Sequence, residues 1–276
     1  MKSALVTLDG SSSSNDARKY AIELATRFGF RLGGLGVVDV PTIEAGAAAP
    51  IGGGSFKADR DQALIEDARK KVKTFLSAFG RACTAAKVDH TSRAIDGLPY
   101  DVINRESRRD DVVIIGSNTC FHFETCDDPG ETLGELVKDS SRPLLVVPPK
   151  RRKGATTLVA TDGRTASARA VQMFVQLGLF RDHPAHVLNV CSDEDEARHH
   201  CEVTASHLRL HGFDVTEHPI ASPANPEDVI LEHIESLDAD LVVMGAHGGG
   251  ILHDFFFGGT ASRVLSKATA PVFVHH

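Results

Sequence analysis

Short apolar runs alternate along this chain with longer segments whose apolar positions recur every three or four residues. The first run, Ala4–Leu8, predicts a strand ending in Asp9-Gly10. A helix follows, with Ser13, Ser14 or Asn15 as N-cap candidates and Gly29 as its stop. Its buried face carries Ala17, Tyr20, Ala21, Leu24, Ala25 and Phe28. Leu32–Val38 is the second strand. Residues 41–56 are so rich in glycine and alanine that they read as a mobile loop. A long helix comes next, striped by Ile65, Ala68, Val72, Phe75, Phe79, Ala82 and Ala86. Strands at Asp89–Ile95, Val112–Ile115 and Pro143–Val147 alternate with helices carrying Val102 and Ile103 and spanning Glu131–Asp139. Such alternation predicts a parallel sheet covered on both faces.

The basic segment Pro148–Lys153 reads as a solvated linker, and beyond it the pattern starts again. Leu158–Thr161 ends in Asp162-Gly163, as the first strand ended in Asp9-Gly10. Strands at His186–Val190, Val215–Ile220, Leu241–Met244 and Pro271–Val274 follow. The helices between them carry Ala170 to Val175, Ala197–Leu208, Pro226–Leu237 and Arg263–Lys267. Asp9 and Asp162 are 153 positions apart, whereas Gly116 and Gly245 are 129 apart. The difference sits between the second and third strands, where the first half has its extra loop and longer helix. Two tandem five-stranded α/β domains are therefore expected, over 1–148 and 154–276.

The stretch with most chemistry runs from Asp240 to the final strand. A buried strand leads into Gly245, Gly248, Gly249 and Gly250, and Gly258-Gly259 precedes the last helix. A strand, a glycine-rich loop and a helix start together present backbone N–H groups to phosphate, and the helix dipole favours the negative charge. The spacing Gly245-x2-Gly248-x9-Gly258 resembles the nucleotide loop of the universal stress protein family. Gly259 stands where that family places Ser or Thr, with Thr260 next. The strand-end aspartates, the Asp96–Pro99 turn and the closing strands, Arg-Pro-Leu-Leu-Val-Val-Pro and Ala-Pro-Val-Phe-Val, also match its pattern, and both halves resemble the family's fold along nearly their full length.

The resemblance implies strand order 3-2-1-4-5 in each domain and an ATP-like adenine nucleotide at the C-terminal edge of the sheet, where open α/β sheets take their ligands. It implies Asp162 against the adenine or ribose and Val190 beside the base. Gly245, Gly248, Gly258, Gly259 and Thr260 would hold the phosphates, with His247 as a further donor and magnesium as an accompanying ion. The first half departs from the pattern: Thr119 and Pro129 replace glycines, and Glu124, Asp127, Asp128 and Glu131 bring acidic charge. Asp9 remains there, so a nucleoside can still dock, while a triphosphate is repelled. The edge strands Leu144–Val147 and Val272–Val274 are expected to pair antiparallel, making the tandem chain its own pseudo-dimer. A homodimer is a further arrangement.

Composition narrows the alternatives. The 276 residues are 42% hydrophobic and 24% charged, an ordinary globular make-up. A net charge of -7 argues against general affinity for nucleic acid or anionic membrane. The start, MKSALVTLDG, has no signal-peptide pattern, so a cytoplasmic protein is expected. Five cysteines, an odd number, suggest no disulfide framework. Cys120, His122 and Cys126 make a poor metal pattern that lacks a regular fourth ligand. No Walker lysine or nucleophile elbow appears, which favours a nucleotide-binding regulatory or protective stress protein, with an unnamed protein partner, over a catalyst. A slow ATPase or nucleotidyl transferase using His247 or Asp162, and a purely structural or partner-binding module, are the alternatives.

Overall fold

In the computed structural model, residues 1–46, 54–121, 130–246 and 259–276 are described. The first half contributes β1 (Ser3–Thr7), β2 (Arg31–Val38), β3 (His90–Asp96), β4 (Val112–Gly116) and β5 (Leu144–Val147). The second contributes β6 (Thr156–Ala160), β7 (Ala185–Cys191), β8 (Val215–Ala221), β9 (Ala239–Gly245) and β10 (Val272–His275). All ten join one sheet in the order β3-β2-β1-β4-β5-β10-β9-β6-β7-β8. Each half thus runs 3-2-1-4-5 with parallel pairing throughout, as expected. β5 and β10 meet antiparallel at the centre, with Val272 opposite Val146, Phe273 opposite Leu145 and Val274 opposite Leu144. These two strands are almost wholly apolar, and pairing them removes two edges that would otherwise invite association.

Strand alternation sends neighbouring residues to opposite faces. Leu145, Val147 and Phe273 join an apolar cluster that also holds residues of α1 (Ser12–Phe28), α3 (Gly54–Ala85), α6 (Thr165–Leu177) and α7 (Glu194–Leu210). Leu144, Val146, Val272 and Val274 join a second one on the other face. That one is covered by α4 (Pro99–Glu106), α5 (Glu131–Asp139), α8 (Pro226–Ser236) and α9 (Gly259–Lys267). Both clusters run through both halves, so the seam is core rather than hinge. Phe28 and Phe180 reinforce it edge to face, 5.4 Å between ring centroids.

Local chemistry departs from the expected pattern in three places. The first helix is capped by Ser11, whose hydroxyl accepts the amide of Ser14 at 3.1 Å. Residues 41–45 are helical, within α2 (Val40–Ala45): the Asp39 carboxylate accepts the Thr42 amide at 3.1 Å, and Pro41 lies in the first turn, where its missing N–H costs nothing. The remaining part of that expected loop, 47–53, lies outside the described residues, and 54–56 already belong to α3.

The third departure is the linker. Arg151 is not solvated: only 10% of its side chain is exposed. Its guanidinium donates to Asp240 at 2.9 Å and Glu23 at 2.7 Å, and stacks 4.3 Å from the centre of the Tyr20 ring. One side chain therefore ties α1 of the first half to β9 of the second. Burial pushes the Tyr20 hydroxyl up in pKa, chiefly by excluding water from its charged form. Among the described residues no helix is long and apolar enough to cross a membrane.

The fold also carries an acid sensitivity. His275, at the end of β10, has a buried Nδ1 without a partner among the described residues. Burial first, then His276 and Arg169, lowers its pKa to about 4. An unfolded histidine titrates near ~6.5, so the native state favours the neutral ring. The stability this contributes is present above the unfolded value and is lost as pH falls toward the folded one. Burial lowers His183, His186, His207 and His218 in the same direction. After discounting for solvent screening, about 1–2 kcal/mol should be lost from His275 alone between pH 7.5 and 5. Urea midpoints at the two pH values test this: His275→Gln should flatten part of the dependence, and an equally steep profile in the variant would contradict it.

Candidate functional site

The C-terminal ends of β6, β7 and β9 frame a cavity of about 430 Å³, within the range of small-molecule sites. Its apolar walls are Leu188 and Val190 from β7, Met244 from β9, Ile230 from α8 and Ala261 from α9. Its rim is polar: Asp162, Arg164 and Ser167 at the start of α6, Glu196 and His200 from α7, and Thr260.

The rim is built by the turn after β6. Gly163 has φ +71, a left-handed value that glycine accepts without strain. A Cβ there would meet the His200 ring at 2.3 Å, so glycine also lets the imidazole lie on the turn. The exposed Asp162 accepts the Arg164 amide at 3.0 Å and the Ser167 hydroxyl at 2.7 Å, both on Oδ1. Oδ2 takes no hydrogen bond among the described residues, with the Arg164 guanidinium 4.0 Å away. Beneath the turn, Asn189 donates to the Thr161 carbonyl at 2.7 Å. The site therefore pairs an apolar slot with a carboxylate that has acceptor capacity to spare and a nearby cation.

Of the residues expected from the sequence, Asp162, Val190, Gly245 and Thr260 line this one cavity. Gly259 opens α9 and is exposed beside it, with open space where a Cβ would stand. His247, Gly248 and Gly258 lie outside the described residues. The Thr260 hydroxyl donates to Glu227 at 3.2 Å, and Arg263 also reaches Glu227, at 3.4 Å. Arg164, Ser167, Glu196 and His200 were not expected. Ser167 had a signal in the repeat, since it occupies the register of Ser14, five residues beyond the strand-end aspartate.

The equivalent position in the first half looks different. Asp9 is 3% exposed and both its oxygens are engaged. Oδ1 accepts the Ser11 amide at 3.0 Å and hydroxyl at 2.7 Å; Oδ2 accepts the amides of Cys120 at 3.1 Å and Phe121 at 3.4 Å. The nucleoside docking expected there from the survival of Asp9 meets a carboxylate already satisfied by its own chain. Cys120 is disulfide-bonded, whereas Cys83, Cys191 and Cys201 are free. An odd cysteine count excludes complete pairing, not a single bridge. His122 and Cys126 of the considered metal pattern lie outside the described residues. Among those described, no group of three or more His, Cys, Asp or Glu side chains is placed to hold a metal.

Comparisons with known proteins agree with this architecture. The model of the universal stress protein family matches residues 195–276. A universal stress protein of Synechocystis aligns over 285 residues at 23% identity, covering 99% of each chain. The crystal structure of a universal stress protein from Archaeoglobus fulgidus superposes with TM-score 0.69 at 20% identity, covering 99% of this chain and 97% of that one. A functionally unknown protein from Pseudomonas aeruginosa gives TM-score 0.57 at 16% identity, covering 100% of this chain and 92% of its own. At such identities the two solved structures speak to the fold alone.

Proposed function

We propose that the chain is a member of the universal stress protein family, whose model matches residues 195–276, and that it is a cytoplasmic regulatory or protective stress protein whose second half binds ATP or a related adenine nucleotide. The observation that carries this reading is the cavity at the ends of β6, β7 and β9, apolar within and rimmed by the Asp162 carboxylate. A flat base fits against Val190, Leu188 and Ile230. The spare Oδ2 of Asp162 suits a ribose hydroxyl, which needs an acceptor when it leaves water. The Arg164 guanidinium and the start of α9 at Gly259 supply positive potential for phosphates, with Thr260 beside them on the rim. His247, Gly248 and Gly258 complete the phosphate side in the sequence reading.

The test is calorimetric titration of ATP into the full chain. Hydrogen bonds to charged groups are worth about 1.5–3 kcal/mol, so Asp162→Ala should weaken binding roughly tenfold to a hundredfold. The reading is sunk if the parent binds no ATP at millimolar concentration, or if the variant binds like the parent. Phosphate release with magnesium, compared between the same two proteins, separates binding from turnover.

A further inference from the structure

The two halves end equivalent strands in the same Asp-Gly pair, yet Asp162 is exposed at the rim of an open cavity while Asp9 is buried. Aligned on Gly116 and Gly245, Cys120 falls opposite Gly249 and Phe121 opposite Gly250. Where the second half has no side chain, the first has a phenyl ring. Phe121 is 1% exposed and has φ +61, a region that bulky residues avoid. Its amide is one of the two that bind Asp9 Oδ2, at 3.4 Å. That bond holds Phe121 beside Asp9, and its ring is buried in the apolar cluster that spans both halves on this face, whose first-half members include Leu35, Val37, Ile103, Ile115 and Leu133. By strand and helix register these five are the counterparts of Leu188, Val190, Ile230, Met244 and Ala261, the walls of the open cavity.

We propose that Phe121 occupies the base slot of a second nucleoside site in the first half, so that this half is closed by its own side chain and backbone. The ring stands in for the aromatic base, and the amides of Cys120 and Phe121 take the Asp9 oxygen that a sugar hydroxyl would otherwise reach. The left-handed backbone at a buried phenylalanine is consistent with this, because the burial offsets the strain. The ligand class, an adenine nucleoside, rests on the reading of the second half given above.

The experiment is calorimetry with adenosine, a probe without phosphates, on the full chain. Phe121→Gly suits the observed φ and gives the first half the residue found at position 250. The parent should bind one adenosine per chain and Phe121→Gly two. The added site should vanish when Asp9→Ala is combined with it. An unchanged stoichiometry overturns the proposal, as does a second site indifferent to Asp9→Ala. A parent that binds none counts against the second half alone. The gain of one Asp9-dependent site in Phe121→Gly would still support the plug, and no gain would refute it. Should loss of the ring weaken folding, thermal melting of Phe121→Ala with and without adenosine gives a second readout: a larger rise than the parent's is expected, and an equal or smaller one overturns it.

Discussion

Gly245→Ala is expected to destabilise the protein by about 3 kcal/mol, the upper end of what overpacking a close-packed interior costs. A Cβ at this position would stand 2.5 Å from the Ser167 amide nitrogen and 2.7 Å from the Ala166 carbonyl carbon. Both are backbone atoms in the first turn of α6, so no rotamer change can relieve the contact. The helix must retreat, and it carries Ser167, whose hydroxyl orients Asp162. Ligand affinity should therefore fall together with stability. Gly259→Ala is the control: nothing lies within 4 Å of its Cβ position, so its urea midpoint should stay within about 0.5 kcal/mol of the parent. Equal stabilities for the two variants would refute the packing argument. Gly116→Ala should behave like Gly245→Ala, because its Cβ would lie 2.6 Å from the Ser13 carbonyl carbon.

Arg151→Ala should cost a similar amount, about 3 kcal/mol by urea unfolding. Removing one partner of a buried ion pair typically costs about 3–5 kcal/mol, because the other charge is left without compensation. Here that charge is Asp240, whose side chain is 10% exposed. Glu23 is 48% exposed and adds little, while stacking on Tyr20 adds about 1 kcal/mol. Relaxation around Asp240 and water entering the gap should offset part of the total. Arg151→Lys keeps the charge but not the two-pronged geometry, so an intermediate loss is expected. A loss below about 0.5 kcal/mol in Arg151→Ala would show that the seam holds without this side chain.

These two residues also show what the sequence makes legible. Strand and helix order could be read because each apolar run is short and each helical stripe keeps its period. The pairing of β5 with β10 could be read because two almost wholly apolar strands end the two repeats. Arg151 could not, since its partners lie 128 and 89 positions away and a run of four basic residues ordinarily needs none. Gly245 was legible as a glycine at the right spacing, but the spacing did not reveal that α6 packs against it. The fates of Asp9 and Asp162 diverge for a similar reason. Each precedes a glycine, and the amides that close over Asp9 come from more than a hundred positions later, where no local pattern announces them. The short helix after Asp39 had its signals, a capping aspartate and an early proline, which the run of alanines and glycines after it outweighed.

The antiparallel pairing at the centre of the sheet fixes the directions from which this molecule can be approached. Strands within a half all point one way, and the two halves point oppositely. The cavity beside Asp162 and the filled position beside Asp9 therefore open toward opposite poles of the chain. On the reading proposed above, a ligand would enter from one pole only, while at the other Phe121 is buried beside Asp9. Duplication has thus produced a particle with a front and a back from two nearly equivalent halves.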